Sequence, residues 1–244
     1  MGMWDKFEFK ASLNFTGYAE RAVATDKEFR RVGLEGIHRI WQFPNPFDGI
    51  VQRSVLTNRA MQGKGFFNAT MGHYRAIKTA YELGSANCLV MEDDIRFLTD
   101  LNLLADILDD IPDDYDAVLL DVIKPVRLTV EEVVRNIASN RVGKYWVRFS
   151  NMRSFGCYSL SRRGMQRWIG AVENALRGTG AKLRIADQYM RTIGTRMGED
   201  ARLYHASPNA AIQVPIGKGN CNSGFVDLAA FYRAIGCKPE EYGG

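Results

Sequence analysis

A short apolar run that ends in three carboxylates constrains this 244-residue chain more than any other feature. Residues 88–91 are apolar, and Glu92, Asp93 and Asp94 follow them directly. Such a run has the length of a buried strand, and open α/β folds bind ligands at the carboxyl ends of their strands. Adjacent carboxylates repel one another unless a cation or hydrogen bonds compensate their charge. An acidic turn facing water is the alternative, but the strand directly before it favours a site.

Strand-like and helix-like segments alternate along the chain. Strands are predicted at residues 7–15, 36–43, 87–91, 115–122, 146–149, 156–160 and 202–204. Helices are predicted at residues 20–32, 70–83, 101–111, 130–138, 162–176 and 187–196. This alternation indicates one α/β domain over residues 1–244, with a mostly parallel central sheet and helices on both faces. A loop-rich portion is expected from about residue 205.

Composition excludes several classes of protein. A hydrophobic content of 46% with 25% charged residues is typical of a soluble globular enzyme. A net charge of +4 is too small to indicate nucleic-acid binding. No run approaches the roughly 20 apolar residues that a membrane span requires, and the first residues lack a signal-peptide pattern. We therefore expect a cytoplasmic protein, free or attached peripherally at the inner face of the membrane.

The cysteines and a group of three arginines give two further predictions. Cys88 and Cys157 lie in apolar strand-like runs, which predicts buried free thiols, whereas Cys221 and Cys237 carry no readable pairing. Arginines at helix spacing are expected to form a solvated helix face: Arg162, Arg163 and Arg167.

An ordered set of segments resembles glycosyltransferase family 25, the lipopolysaccharide-type glycosyltransferases, which include many bacterial β-galactosyltransferases. The matching segments are residues 72–77, 89–97, 115–120 and 156–164, with further positions at Arg21, Asp187, Pro208 and Gln213. Two departures stand out. Gly72 occupies a position where the family usually has serine, and residues 217–223 replace a Ser-Asp pair.

The resemblance implies a GT-A-like fold and an inverting transfer of a hexose, galactose first, from a UDP-sugar donor. The implied acceptor is a saccharide such as lipopolysaccharide or another surface glycan. It also implies Mn²⁺ or Mg²⁺ as cofactor, with Asp94 as the first ligand, Asp93 as a second ligand or ribose contact, and His205 as a third. Hard oxygen ligands suit these cations, which neutralise a leaving diphosphate. A surface histidine is the equal alternative for His205.

The same resemblance assigns residues to donor binding and to proton transfer. Arg21, His73, Asp93 and Ser159 are the expected donor contacts. An exposed helix arginine and a histidine that caps a helix or lies in the core are the alternatives for the first two. Asp187 is the candidate general base that takes the proton of the acceptor hydroxyl. Its alternative is an N-cap of the helix that follows, a role that aspartate suits.

Other polar and aromatic residues receive weaker interpretations. Asp116 and Asp121 flank a predicted strand. Asp121, at its end, could contact the acceptor or a metal ion, but a turn-forming aspartate is favoured. Three aromatic rings are candidates for stacking on sugars, although core packing is favoured for the last of them: Trp146, Tyr158 and Trp168.

Two other functional classes stay open. A metal-dependent phosphotransferase or phosphohydrolase would also use adjacent aspartates, but the sequence has no GxxxxGK[ST] loop and no N-terminal DxD. A catalytically inactive carbohydrate-binding relative is the second alternative. The intact acids Asp93, Asp94 and Asp187 favour an enzyme.

Overall fold

The computed structural model describes residues 2–17, 19–42, 66–122, 129–148, 156–177, 201–213 and 238–242. The described strands are β1 (Phe9–Phe15), β2 (Ile37–Gln42), β3 (Asn87–Glu92), β4 (Ile95–Phe97), β5 (Ala117–Leu119), β6 (Trp146–Arg148), β7 (Cys157–Ser161), β8 (Leu203–Ala206) and β9 (Ala211–Gln213). The described helices are α1 (Ala19–Arg31), α2 (Phe66–Glu82), α3 (Leu101–Asp109), α4 (Val130–Ser139) and α5 (Arg162–Leu176). A short 3-10 turn covers Pro239–Glu241.

Seven strands form one central sheet in the order β2-β1-β3-β7-β5-β8-β6. β1 pairs in parallel with β2 and β3, and β5 pairs in parallel with β8. β7 and β6 run antiparallel to their neighbours. Five of the seven strands therefore run in the same direction, which confirms the predicted mostly parallel α/β sheet. β4 and β9 form a separate antiparallel pair that the sequence pattern did not predict.

Helices cover both faces of the sheet, as predicted. β1 lies between β2 and β3, so the connections through α1 and through α2 step in opposite directions across the sheet. Because such crossovers are right-handed, the two helices lie on opposite faces. α5 packs beside α2 and against β7. No helix within the described ranges has the length and apolar character needed to cross a membrane.

The junction between β7 and α5 shows how local sequence sets the packing. Ser161 ends the strand and caps the helix, its hydroxyl accepting a hydrogen bond from the Gly164 N–H at 3.2 Å. A Cβ at Gly164 would overlap the carbonyl oxygen of Asp116, so only glycine lets α5 approach the start of β5 this closely.

The core is built from the side chains that the apolar runs supply. Cys88 and Cys157 are buried and free, as predicted. The rings of Trp146, Tyr158 and Trp168 are fully buried, so none of them presents a face to a ligand. Core packing, the favoured interpretation for Trp168, is confirmed, and the stacking on sugars suggested for Trp146 and Tyr158 is wrong.

Two of the three arginines expected on a solvated helix face also pair with a buried aspartate. Asp116 is fully buried, and its carboxylate accepts hydrogen bonds from Arg163 Nε at 2.5 Å and Arg167 Nη1 at 2.7 Å. The backbone N–H of Arg202 adds a third bond at 2.9 Å. Arg163 is half exposed, so it faces solvent as predicted while it also pairs with Asp116. The solvated-face prediction was wrong for Arg167, which is 21% exposed, because a buried carboxylate requires ionic and hydrogen-bonding partners.

The two aspartates that flank β5 are both buried at bends in the chain. Asp116 pairs with arginines inside the protein, and Asp121 is also buried, its Oδ1 accepting the Cys157 N–H at 2.8 Å. Both aspartates therefore connect a neighbouring element to one end of β5, and neither side chain faces water.

Candidate active site at the carboxyl edge of the sheet

The acidic triplet lies where the topology of the sheet reverses. β3 ends at Glu92, and Asp93 and Asp94 form the turn that leads into β4. β1, β2 and β3 are parallel, so all three end at the same edge. Because the chain leaves β1 toward β2 on one side and reaches β3 on the other, a crevice is expected between the ends of β1 and β3, where open α/β sheets bind ligands.

Arg21, in the first turn of α1, lies against both aspartates. Its Nη2 atom is 2.5 Å from Asp94 Oδ2 and 3.2 Å from Asp93 Oδ1. The Arg21 side chain is only 11% exposed, so it is not the exposed helix arginine of the alternative interpretation. The other oxygen of Asp93 accepts the backbone N–H of Phe15 at 3.2 Å. The end of β1, the start of α1 and the acidic turn are thus connected through these side chains.

Thr25, one helical turn after Arg21, holds the same helix to the turn. Its hydroxyl lies 2.6 Å from the carbonyl oxygen of Asp93 and 2.7 Å from that of Arg21. Thr25 is fully buried, so water does not compete for these bonds. Sequence reasoning missed this residue, because a threonine inside a charged helix carries no signal of a contact with a distant turn.

Glu92 is oriented by partners from two other elements. Gln213, on β9, donates from Nε2 to Glu92 Oε2 at 2.6 Å, and the same nitrogen lies 3.4 Å from Asp94 Oδ1. A Cβ at Gly156 would lie 2.7 Å from Cγ and 2.8 Å from Cδ of Gln213, closer than side chains pack. Gly156 therefore makes room for Gln213 to reach the acids. A glycine at the start of a predicted strand was the only sequence signal for this close approach.

His73 lies behind Glu92 on α2. It is 1% exposed, with Nε2 at 3.2 Å from Glu92 Oε1 and Nδ1 at 2.9 Å from the hydroxyl of Tyr158. Both ring nitrogens are thus engaged inside the protein. His73 joins helix α2 to the end of β3 and fixes the orientation of Glu92, whose side chain is 30% exposed.

The departure at Gly72 also has a steric explanation. A Cβ at this position would overlap the side-chain amide of Gln42, the last residue of β2. A serine here would have to push the end of the Gln42 side chain aside.

Burial dominates the electrostatics of the acidic turn. It raises the pKa of the Asp94 carboxyl to about 7, and the nearby Glu92 adds to this effect while Arg21 opposes it. Burial also raises the pKa of Asp93, again against the effect of Arg21. Carboxyl groups perturbed in this way cluster at functional sites, although structural ion pairs also perturb pKa values.

The predicted metal ligands are not arranged as a metal centre. Each of the four carboxylate oxygens of Asp93 and Asp94 has a partner, from Arg21, Phe15 or Gln213. Over the described ranges, no three His, Cys, Asp or Glu side chains are placed to hold a metal ion. As arranged, the described residues do not fit a bound cation.

His205 lies in another part of the sheet. It is on β8, which β7 and β5 separate from β3, so three strand spacings of about 4.8 Å separate their backbones. The residue is fully buried, which also excludes a surface histidine, and its Nδ1 is 3.2 Å from the Ala206 carbonyl oxygen. Burial lowers the pKa of His205 to about 4. The structure does not bring His205 to Asp93 and Asp94.

The remaining predicted site residues lie elsewhere. Ser159 is fully buried, pairs with Leu89 across the β3–β7 ladder, and bonds through its hydroxyl to the Tyr115 hydroxyl at 2.9 Å. This placement does not favour a donor contact. Asp187 lies outside the described residues, so its role as general base stays a prediction. The helix expected to begin there and the two late cysteines, Cys221 and Cys237, also lie outside them.

Comparisons with known proteins find only weak structural similarity. No family model and no curated protein matches the chain. The glycosyltransferase GlyE of Streptococcus pneumoniae aligns with a TM-score of 0.39 and 8% identity, over 81% of this chain and 45% of GlyE. The galactosyltransferase LgtC, solved with donor and acceptor sugar analogues, aligns with a TM-score of 0.40 and 10% identity, over 93% of this chain and 95% of LgtC. Mouse xyloside xylosyltransferase 1 aligns with a TM-score of 0.40 and 10% identity, over 80% of this chain and 84% of that enzyme.

TM-scores below 0.5 carry no argument about the fold or the function of this chain. The chain spans less than half the length of GlyE. The resemblance to glycosyltransferase family 25 stays a prediction from the sequence, since no family model matches.

Proposed function

We propose that this chain is a glycosyltransferase that moves a hexosyl group from a nucleotide sugar to a saccharide acceptor. The observation that carries the proposal is the Asp93–Asp94 pair, which lies at the carboxyl ends of β1 and β3 with side chains 7% and 14% exposed and is held by Arg21. This is the position at which open α/β sheets bind nucleotides and other ligands. Buried carboxylates there are strong acceptors for the hydroxyl groups of a ribose or a hexose.

The roles proposed for single residues follow from their contacts. Asp93 and Asp94 accept hydrogen bonds from hydroxyl groups of the donor, and Arg21 keeps both carboxylates oriented. Glu92, fixed by His73 and Gln213, supports the turn. Rigid partners of this kind hold a site in its productive geometry.

The finer details rest on the sequence resemblance. UDP-galactose is the proposed donor, a lipopolysaccharide or other surface glycan the proposed acceptor, and inversion the proposed stereochemistry. Asp187 is the proposed base, since an inverting transfer needs a carboxylate to take the proton of the attacking hydroxyl. A requirement for Mn²⁺ or Mg²⁺ stays a prediction to be tested with the donor.

A donor panel tests the proposal. The folded protein is incubated with UDP-galactose, UDP-glucose, UDP-N-acetylglucosamine and GDP-mannose, each with Mn²⁺ and with EDTA. Nucleotide release and the shift in melting temperature are measured. We expect one UDP-sugar to be consumed and to raise the melting temperature. Asp94→Ala should lose turnover, whereas Asp114→Ala, an exposed aspartate outside the site, should keep it.

Other outcomes point to the other functional classes. Release of inorganic phosphate from UDP would indicate a phosphohydrolase. Binding of a saccharide without turnover of any donor would indicate an inactive relative. A folded protein that neither consumes a nucleotide sugar nor gains thermal stability from one would refute the proposal.

A further inference from the structure

Arg21 occupies the position that a bound cation would take between the two aspartates. Its Nη2 atom contacts one oxygen of Asp94 at 2.5 Å and one of Asp93 at 3.2 Å. Cations that prefer oxygen ligands bind carboxylate oxygens at about 2.0–2.6 Å, so they would need this space. A guanidinium and a divalent cation at the same oxygens would also repel each other strongly, because the side chains are buried.

The Arg21 side chain is fixed in this place. It is 11% exposed, and the aspartates it bridges are 7% and 14% exposed. The hydroxyl of Thr25 ties the backbone of α1 at Arg21 to the backbone of Asp93. Moving the guanidinium away would break two ion pairs in a region that water hardly reaches, which is costly when one partner is left buried.

Other positive charges act on the same carboxylates. Arg39 interacts electrostatically with Asp93, and Arg96 interacts with Asp94. Arg39 is also ion-paired with Asp26, and Arg96 interacts more strongly with Glu28, so Arg21 is the guanidinium that chiefly compensates Asp93 and Asp94. This compensation weakens the attraction of the two aspartates for a dication, which depends on uncompensated carboxylates.

We infer that Arg21 takes the place of the metal ion that the sequence suggests: Asp93 and Asp94 hold a guanidinium group and no divalent cation. In the proposed transfer reaction, which this inference extends, the two carboxylates then act on donor hydroxyl groups and the reaction does not need a cation at this pair. The inference itself concerns a contact within the chain, so it is tested with the metal alone.

The experiment is a titration of the protein with Mn²⁺, in which the electron paramagnetic resonance signal of free Mn²⁺ is measured. The proteins are wild type, Asp94→Asn, Arg21→Ala and the double variant. We expect wild type and Asp94→Asn to bind Mn²⁺ equally. Arg21→Ala should gain a site that binds Mn²⁺ about tenfold or more tightly than wild type, because two buried carboxylates lose their partner. The double variant should lose that site.

The controls separate the possible outcomes. Arg30→Ala, at the exposed end of α1, should behave as wild type. A wild-type Mn²⁺ site that Asp94→Asn removes would overturn the inference, and this comparison holds even if Arg21→Ala does not fold. A folded Arg21→Ala protein that binds no more tightly than wild type would also overturn it. A site that none of these substitutions changes lies elsewhere and agrees with the inference.

Failure of the proposed function would be recognised separately. If no nucleotide sugar is consumed, the titration still reports on the Arg21 contact. If transfer occurs, its persistence in EDTA supports the inference, and its loss in EDTA together with a Mn²⁺ site that Asp94→Asn removes would refute it.

Discussion

Asp116 and Asp94 differ in the number of arginines that contact their carboxylates. Asp116, before the amino end of β5, accepts hydrogen bonds from two arginines and a backbone N–H on a single carboxylate. Asp94, after the carboxyl end of β3, shares one guanidinium with Asp93. Burial and the neighbouring Glu92 raise the pKa of Asp94 to about 7 in spite of that guanidinium.

This difference in arginine contacts indicates a structural role for Asp116 and a functional role for Asp94. A carboxylate with three donors on it is satisfied by the fold and holds α5 to the sheet. The Asp94 carboxylate is ionised less readily in the folded protein than in water, so its presence is not explained by stability. Such locally unfavourable groups are expected at functional sites.

The largest effect should appear on activity when the Asp94 carboxylate is removed. We expect Asp94→Ala to lower kcat/KM for sugar transfer by about a thousandfold or more, because a contact to the donor is lost in a buried site. Its free energy of unfolding should stay within about 1 kcal/mol of wild type, since the remaining ion pair of Arg21 with Asp93 is retained. Steady-state kinetics and urea unfolding measure the two effects. Full activity in Asp94→Ala would contradict the functional role that distinguishes Asp94 from Asp116.

Asp116→Ala should show the reverse pattern. We expect it to lower the free energy of unfolding by about 3 kcal/mol, because the buried carboxylate's contacts with two arginines and with a backbone N–H are lost together. Activity of the folded fraction should stay near wild type. The control is Asp114→Ala, an exposed aspartate two positions earlier, which should cost about 1 kcal/mol or less. Urea midpoints with unchanged slopes measure these differences. A stable but inactive Asp116→Ala protein would contradict this assignment.

His205 extends the comparison to the strand beside Asp116. Burial lowers its pKa from 6.5 to about 4, so between these values the unfolded chain binds a proton that the folded protein excludes. Stability from this residue is complete above pH 6.5 and is lost as the pH falls toward 4. We expect wild type to lose about 2 kcal/mol relative to His205→Gln between pH 7 and pH 4.5. Urea unfolding of both proteins across this range measures the difference. Parallel pH profiles would show that His205 is accessible to protons in the folded state.

The sequence predicted the position of the acids because that position depends on local pattern. The apolar run of β3 followed by Glu92, Asp93 and Asp94 placed them at the carboxyl edge, and the alternation of strands and helices predicted the α/β sheet. The helices that carry Arg21 and His73 were also predicted, with ends displaced by a few residues.

The contacts of the site could not be predicted, because they depend on the order of strands and on packing. The sequence does not state that β7 and β5 lie between β3 and β8, so His205 was expected near Asp94. Strands of three residues, β4 and β9, are too short to show alternation, and β9 carries Gln213 into the site. Aromatic residues such as Trp146 and Tyr158 look the same in the sequence whether their rings line a pocket or pack in the core. The structure places both rings in the core.

The smallest expected effect comes from Gly156, which makes room for the Gln213 side chain. Its φ is not positive, so an added Cβ costs nothing in backbone conformation and acts only through contact. We expect Gly156→Ala to push Gln213 away from Glu92 and Asp94, to lower kcat/KM about tenfold and to cost about 1 kcal/mol of unfolding free energy.

Gly170→Ala is the matched control for that substitution. Gly170 lies inside α5, with nothing within 4 Å of an added Cβ. Alanine there should leave activity unchanged and raise the free energy of unfolding by about 0.5–1 kcal/mol, since glycine is unfavourable in a helix interior. If Gly156→Ala keeps wild-type activity while its stability falls, the contact of Gln213 with Glu92 and Asp94 has a structural role only, like the contacts of Asp116. Loss of activity at nearly constant stability would place Gln213 among the residues that position the acidic turn for its ligand.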